Sequence, residues 1–225
     1  MKIINHKFQG IFELNKGRRT VYLTKNLVKG KSVYGEQLHK EGGDEYREWD
    51  PTRSKLAAAL HKKVSQFGIY PGNIVLYLGA STGTTASHVS DLVGKEGLVF
   101  ALDFAPKTTK ELVFLCEERT NMAPILASAT HPENYANLLC QVDCVVQDIA
   151  QREQAETFIK NCNAFLKKGG FGILSLKARS IDVAKRPKEI FKKVRDYLDK
   201  NITIVDYREL DPFEKDHCIF ICKRK

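Results

Sequence analysis

The sequence contains no apolar run that comes close to the roughly 20 residues of a membrane-spanning helix. Its opening residues, MKIINHKFQG, also lack the apolar core of a secretory signal peptide. It has no internal repeat and no low-complexity segment. With 43% hydrophobic and 28% charged residues over 225 positions, the chain is expected to form one full-size globular domain with a small appendage, and to have no membrane partner.

Cysteine occurs six times, but in no arrangement that indicates a disulfide framework or a metal site. The chain has no CxxC pair and no Cys and His spacing typical of zinc ligation, so no metal is expected. We expect buried free thiols in a reducing, cytoplasmic location, with a redox or metal role as the alternative. The six residues are scattered, mostly among apolar neighbours: Cys116, Cys140, Cys144, Cys162, Cys218 and Cys222.

Positive charge is concentrated in the first third of the chain. The formal net charge is +9, and residues 1–63 hold 14 basic side chains against 7 acidic ones. An excess of this kind is typical of a surface that contacts a polyanion, and equally of an ordinary solvated surface. Both interpretations stay open on charge alone.

The pattern up to residue 48 is short and alternating, which predicts a small β domain over residues 1–48. The segments FQGIFEL and TVYLTKNLV contain the β-branched and aromatic residues of strands, and NKGRR between them supplies a glycine turn. We therefore expect a β-hairpin here. KSVYGE is predicted to form a third strand.

A second domain is predicted over residues 49–225, and it opens with a helix. Asp50 is a plausible N-cap, and Pro51 suits the first helical position. Apolar residues then recur at helical spacing from Leu56 to Phe67, and Gly68 is expected to end the helix.

The rest of this domain alternates between apolar strands and helical patterns, which predicts a mostly parallel sheet covered on both faces. Too few residues separate the last two strands for a crossover helix, so they should pair as an antiparallel hairpin. We expect an α/β fold, with a Rossmann-like seven-stranded sheet of the kind found in many methyltransferases and one antiparallel strand. The predicted strands are Ile74–Leu78, Leu98–Asp103, Ala123–Ala127, Val142–Val146, Gly172–Leu176, Ile202–Asp206 and Cys218–Cys222.

The first of these strands runs into a glycine-rich junction, in the segment IVLYLGASTGTT. A phosphate-binding loop needs Lys followed by Ser or Thr after its last glycine, but Gly83 is followed by two threonines. A dinucleotide fingerprint needs a third glycine, which is missing. Small residues and hydroxyls suit a nucleoside with an amino-acid tail, such as S-adenosylmethionine.

Asp103 ends the next strand, where an acid can bind ribose hydroxyls. An acid at this position also occurs in NAD proteins, so it indicates a nucleoside and not one particular cofactor. Another nucleotide enzyme, such as an oxidoreductase, and a binding fold without chemistry remain as alternatives. The glycines could also serve only to form a tight turn.

Polar side chains follow three further strands. Asp148 ends the fourth, Lys177 and Arg179 end the fifth, and His217 precedes the last. Because strand ends at one edge of a sheet line the same crevice, we expect these groups to lie close together. Each also has an ordinary interpretation: Asp148 as a helix cap, Lys177 as a surface cation and His217 as a turn residue.

Long ordered motifs resemble those of the archaeal fibrillarins, over essentially the whole chain. The resemblance implies S-adenosylmethionine-dependent 2′-O-methylation of ribose in rRNA and tRNA, within rRNA processing. It also implies a box C/D ribonucleoprotein that contains a guide RNA, a Nop-family scaffold protein and a kink-turn-binding ribosomal-type protein. The motifs are YREWDPTRSKLAAAL, YLGASTGTTASHV, DIAQREQAE, FLKKGGFGILSLKARSIDV and DPFEKDHCIF.

The same resemblance implies a cofactor site along the strand ends. The loop from Gly79 to Thr85 would contact the methionine part, Asp103 and Phe104 the ribose and adenine, and the segment after Asp148 the methyl-donor side. The implied cofactor-binding residues are Gly79, Ala80, Gly83, Thr84, Thr85, Asp103, Phe104, Ser128, Ala129, Asp148, Ile149, Ala150 and Gln151.

Lys55, Asp148, Lys177 and His217 match the catalytic Lys-Asp-Lys-His set of such enzymes, so the resemblance implies these roles for them. Lys177 is the candidate for orienting or deprotonating the ribose hydroxyl, and Asp148 for positioning it. A non-catalytic RNA-binding subunit that kept the fold is an alternative, as is methylation of a protein acceptor.

Two positions depart from the family pattern. Asp103 stands where the family usually has glutamate, and this shorter acid should still reach a ribose. Ser128 stands where the family usually has aspartate, which would accept a hydrogen bond from the adenine amino group. Serine accepts without charge, so we expect adenine to be bound more weakly or in a different arrangement.

Overall fold

The computed structural model describes residues 2–17 and 19–225, and it contains two β-sheets. The smaller sheet is antiparallel, with the strand order β1-β2-β3-β5-β4. The predicted hairpin is present as β2 and β3, in which Ile11 pairs with Thr24. The five strands are β1 (Ile3–Asn5), β2 (Ile11–Lys16), β3 (Arg19–Lys25), β4 (Leu38–Glu41) and β5 (Asp44–Glu48).

The prediction of a strand at KSVYGE was wrong, since residues 31–36 form a loop. The Glu36 carboxylate accepts hydrogen bonds from the backbone N–H groups of Val33 and Tyr34. These bonds turn the backbone back on itself, and the ring of Tyr34 contacts that of His88.

The larger sheet has seven strands in the order β11-β12-β10-β9-β6-β7-β8. Its pairs are parallel except that β12 runs antiparallel to both β10 and β11, which confirms the predicted class. The strands are β6 (Ile74–Leu78), β7 (Leu98–Asp103), β8 (Met122–Leu126), β9 (Val142–Gln147), β10 (Leu166–Lys177), β11 (Thr203–Glu209) and β12 (His217–Lys223). The helices are α1 (Lys55–His61), α2 (Thr84–Val93), α3 (Pro106–Glu118), α4 (Gln154–Phe165), α5 (Ala178–Ile181) and α6 (Pro187–Asn201).

The first helix is shorter than predicted and begins later. Its N-cap is Ser54, whose side chain accepts a hydrogen bond from the N–H of Ala57. Asp50 closes a preceding turn by accepting from Thr52, so the prediction of Asp50 as N-cap was wrong. The start at residue 55 matters because it makes Lys55 the first residue of the helix.

Two apolar layers cover the faces of the larger sheet, and most cysteines lie within them. Cys144, Cys162, Cys218 and Cys222 are buried free thiols, and Cys116 is half-buried. Cys140 is exposed, so the prediction of burial was wrong there; it lies in the irregular segment before β9. Within the described residues, no helix is both long and apolar enough to span a membrane.

A buried ionic cluster joins the two sheets. The Asp91 carboxylate on α2 accepts a hydrogen bond from Arg47 of β5 at 2.7 Å and another from Arg119 at 2.7 Å. Thr24 of β3 and the backbone N–H of Leu27 also donate to it. All three charged side chains are almost completely buried, so the small sheet is fixed to α2 by groups that have no access to water.

His88 lies beside this cluster and is completely buried. Its ring stacks on Trp49 at 5.0 Å between centroids, while Nδ1 lies 2.8 Å from the Thr24 hydroxyl and Nε2 lies 2.8 Å from the Tyr34 hydroxyl. Burial, together with the positive charges of Arg47 and Arg119, holds the pKa of His88 well below its usual value. The imidazole is therefore neutral in the folded protein at neutral pH.

Replacing Asp91→Ala should destabilise the protein by about 3–5 kcal/mol, because two buried guanidinium groups lose their shared carboxylate. Urea denaturation followed by circular dichroism measures this loss. Lys167→Ala, which breaks the exposed ion pair with Asp143, is the control and should cost about 0.5 kcal/mol or less. An equally small loss in both variants would contradict the structural role of the buried cluster.

The free energy of unfolding should fall as the pH drops below about 6.5, because the unfolded chain then binds a proton at His88 that the folded protein excludes. The contribution of His88 to the free energy of unfolding is fully present above the ordinary histidine pKa of 6.5. It is lost as the pH falls toward the lowered pKa of the folded state. Denaturation at a series of pH values from about 7 to 5 should give a shallower dependence for His88→Gln, by up to about 1.4 kcal/mol per pH unit. Parallel curves for the two proteins would refute the assignment to His88.

Candidate active site

Many of the predicted site residues lie in loops after the carboxyl ends of parallel strands, and main-chain hydrogen bonds connect these loops. The N–H of Asp148, after β9, donates to the carbonyl of Leu78 at the end of β6. The N–H groups of Gly79 and Ala80 both donate to the carbonyl of Leu102 in β7. Three successive strand ends are therefore joined by main-chain hydrogen bonds, which holds the edge in one arrangement.

Both glycines of the junction after β6 are required by the backbone. Gly79 has a φ of +85°, and a Cβ built there would lie 2.3 Å from the carbonyl oxygen of Asp148. Gly83 has a φ of +92°, and its Cβ would lie 2.2 Å from the side chain of Leu115. The junction is thus a tight turn that brings the backbone close to Asp148. It leads directly into α2, whose first N–H groups, at Thr84 and Thr85, lack intrahelical acceptors.

Asp103 lies at the predicted edge but is already hydrogen-bonded to the protein. One carboxylate oxygen accepts from the N–H of Ser81 at 2.7 Å, and the other accepts from the N–H of Ala105 and the hydroxyl of Thr108, both at 3.0 Å. A carboxylate offers about four acceptor positions, so capacity for one further donor remains. Phe104, next in the chain, is 66% exposed and free to stack against a ligand.

Ser128 and Ala129 follow β8 and differ in their surroundings. The half-exposed Ser128 hydroxyl lies 2.8 Å from that of Thr130. Ala129 is buried, and its carbonyl accepts a hydrogen bond from the Asn161 side chain at 2.9 Å. Of the two, only Ser128 presents a polar side chain on this edge.

Lys55, at the start of α1, forms an ion pair with Asp148, which follows β9. Lys55 Nζ lies 3.0 Å from Asp148 Oδ2, and both side chains are about one-fifth exposed. Burial alone would lower the pKa of Lys55, but the carboxylates of Asp148 and Glu214 outweigh it and raise the pKa above its usual value. Lys55 therefore stays charged. The alternative of Asp148 as a helix cap was wrong, because the N-cap of α4 is Glu153.

Lys177 and His217 lie directly opposite each other on paired antiparallel strands, β10 and β12. Lys177 is exposed, and in the described part of the chain its ammonium has no ion-pair partner. His217 is buried, and its Nδ1 lies 2.7 Å from the carbonyl oxygen of Lys215. That contact requires a proton on Nδ1, which directs the Nε2 lone pair of the neutral ring elsewhere. Arg179 points away into an ion pair with Asp216.

Two residues of this edge were missed by reasoning from the sequence. Glu214 Oε2 lies 3.9 Å from His217 Nδ1, and its charge acts on Lys55, so it lies between the two halves of the set. Gln154 is completely buried and hydrogen-bonds to the backbone of Lys177. Both residues lie in quoted motifs, but only the tertiary structure brings them to the site.

The Fibrillarin family model matches residues 3–225. The fibrillarin-like rRNA/tRNA 2′-O-methyltransferase of Thermococcus onnurineus is 48% identical, with both chains covered completely. Aeropyrum pernix fibrillarin, solved in complex with natively bound S-adenosyl-L-methionine, is 39% identical with a TM-score of 0.91, over 99% of this chain and 98% of that one.

Fibrillarin from a solved fibrillarin/Nop5p complex is 36% identical with a TM-score of 0.89, over 98% of this chain and all of that one. These similarities extend over both sheets and every strand end described above. The chain therefore belongs to the fibrillarin family.

Proposed function

We propose that the protein transfers a methyl group from S-adenosylmethionine to the 2′-hydroxyl of ribose in rRNA and tRNA. The observation that carries this proposal is the assembly of Lys55, Asp148, Lys177 and His217 at one edge of the sheet, next to the glycine turn. The curated relatives, which are rRNA/tRNA 2′-O-methyltransferases, support the choice of reaction.

The residues at this edge fit S-adenosylmethionine. Gln151 Oε1 is buried and has no hydrogen-bond partner within the described residues, so it can accept from the ammonium of the methionine part. The free N–H groups at the start of α2 suit the methionine carboxylate. Asp103 retains capacity for one ribose hydroxyl. The S-adenosyl-L-methionine natively bound to the Aeropyrum pernix relative supports the choice of this cofactor.

The cofactor supplies a methyl group that its positive sulfur has already activated. The protein must align the acceptor hydroxyl with that methyl group, and such alignment can account for most of a rate enhancement. Lys177 is exposed and therefore accessible to a large acceptor. It is assigned to hold the hydroxyl through its ammonium or, after that ammonium has lost a proton, to take the hydroxyl proton as the neutral amine. The charge of Asp148 is balanced by Lys55, so this carboxylate is held in place and does not bind Lys177. Because Nδ1 of His217 donates to the carbonyl of Lys215, its Nε2 is left as a hydrogen-bond acceptor.

Selection of the target nucleotide is assigned to other components. Only RNA carries a 2′-hydroxyl, which accounts for RNA over DNA. A box C/D guide RNA would pair with the target, while a Nop-family scaffold and a kink-turn-binding protein would place the enzyme. The solved fibrillarin/Nop5p complex supports the scaffold. We also place the protein in the cytoplasm, on the basis of its free thiols.

Labelled S-adenosylmethionine should transfer its methyl group to a guide-paired RNA in the reconstituted complex, and not to the same RNA with a 2′-deoxyribose at the target. The reason is that the proposed acceptor atom is missing from the second substrate. Mapping of the labelled nucleotide measures the outcome. The protein alone should give negligible site-specific transfer.

Lys177→Ala serves as the chemical control for that experiment. It should lower the single-turnover rate by about 100-fold or more, while calorimetry gives an unchanged cofactor affinity. Equal transfer to the deoxyribose substrate would overturn the proposed acceptor, and a normal rate in Lys177→Ala would overturn the role of Lys177.

Ser128→Asp should increase affinity for S-adenosylmethionine by about threefold to tenfold, since a carboxylate accepts a hydrogen bond from the adenine amino group more strongly than a hydroxyl does. Isothermal titration calorimetry on the isolated protein measures the change. Ser128→Asn, which adds an uncharged acceptor of the same size, is the matched control and should give a smaller gain. Unchanged or lower affinity in Ser128→Asp would place the adenine amino group away from this side chain.

A further inference from the structure

The side chain of Gln154 joins two loops of the active site. Gln154 is the first residue of α4 and is completely buried. Its Nε2 donates to the carbonyls of Gln151 at 2.7 Å and Lys177 at 3.2 Å, and its Oε1 accepts from the N–H of Lys177 at 3.1 Å. The side chain of Gln147 in turn donates to the backbone carbonyl of Gln154 at 2.7 Å.

These contacts occur where β10 extends beyond the end of the neighbouring strand β9. The parallel strand β9 pairs with β10 only as far as Gln147 opposite Leu174, whereas β10 continues to Lys177. The N–H and C=O of Lys177 that face this side would have no strand partner. The side-chain amide of Gln154 supplies one acceptor and one donor, as a backbone peptide of a neighbouring strand would do.

We propose that Gln154 is a positioning residue that sets the placement of Lys177 relative to the loop beginning at Asp148. Both peptide planes around Lys177 are held by one rigid amide, and the same amide holds the carbonyl of Gln151 in that loop. This inference rests on the proposed function, because it acts through Lys177.

The geometry requires an amide of this length. Glutamate would keep the acceptor for the Lys177 N–H but lose both donated bonds. Methionine has a similar length but offers neither, so the backbone at Lys177 would be free to shift. A misplacement of about 1 Å in a reacting group can cost on the order of 100-fold in rate.

A double-mutant cycle between Gln154→Met and Lys177→Ala tests the proposal in the reconstituted complex, by single-turnover methyl transfer. In the presence of Lys177, and with cofactor and RNA at saturating concentrations, Gln154→Met should lower the rate by about 10- to 100-fold. In the Lys177→Ala background, Gln154→Met should cause no further loss, because the group it positions is absent. Gln154→Glu should give an intermediate rate.

Asn121→Leu is the matched control. Asn121 is also a buried amide that donates to two backbone carbonyls, those of Ser90 and Gly94, but it lies away from the site. The Asn121→Leu variant should be less stable, but its methyl-transfer rate per folded molecule should be unchanged. Circular dichroism at the assay temperature gives the folded fraction by which the rate is divided. If Gln154→Met reduces the rate by the same factor with and without Lys177, or if the fall only follows the folded fraction, the positioning role is overturned. If Lys177→Ala itself has a normal rate, the proposed function of Lys177 fails instead.

Discussion

The structure depends on one buried carboxylate. Asp91 lies between the guanidinium groups of Arg47 and Arg119, and none of the three has access to water. A buried charge is tolerated only when its partners have good hydrogen-bonding geometry. This requirement restricts the position of the small sheet relative to α2. The chain leaves that sheet at Glu48 and enters α1 at Lys55. The ionic cluster thereby limits where the first residue of α1 can lie, and this residue forms the ion pair with Asp148.

Several of the charged groups described at the active edge are paired with one another. Lys55 and Asp148 neutralise each other, Arg179 is paired with Asp216, and Glu214 lies near both Lys55 and His217. The ammonium of Lys177 has no ion-pair partner within the described residues, so it is available to interact with an RNA acceptor. The carboxylate of Asp103 is used differently, since it connects the loops after β6 and β7 and retains room for one ligand donor. The Asp103 side chain thus both holds the two loops together and can bind a ligand.

Most of the sheet was predictable because its strands are apolar runs, and the ends of β6 and β7 matched the predicted residues. The errors arose where one local sequence pattern is compatible with two different local structures. Asp50 and Pro51 suit a helix start and a turn equally well, and the turn forms because Ser54 caps the helix. KSVYGE has strand composition, yet Glu36 folds it into a loop. Gln154 could not have been identified, because its contact with Lys177 depends on where β9 stops, which no local pattern specifies.

The pairing of Lys177 with His217 has a consequence for how this chain can vary in length. The two residues are cross-strand partners, so their alignment depends on the register of β10 against β12 and not on the conformation of the turn between β11 and β12. Additional residues in that turn would leave the partners opposite each other. One additional residue inside β12 would either displace His217 from its position opposite Lys177 or turn every following side chain to the other face of the sheet. Insertions in the turn therefore preserve the pairing of Lys177 with His217, whereas an insertion a few positions further along the same hairpin can disrupt it.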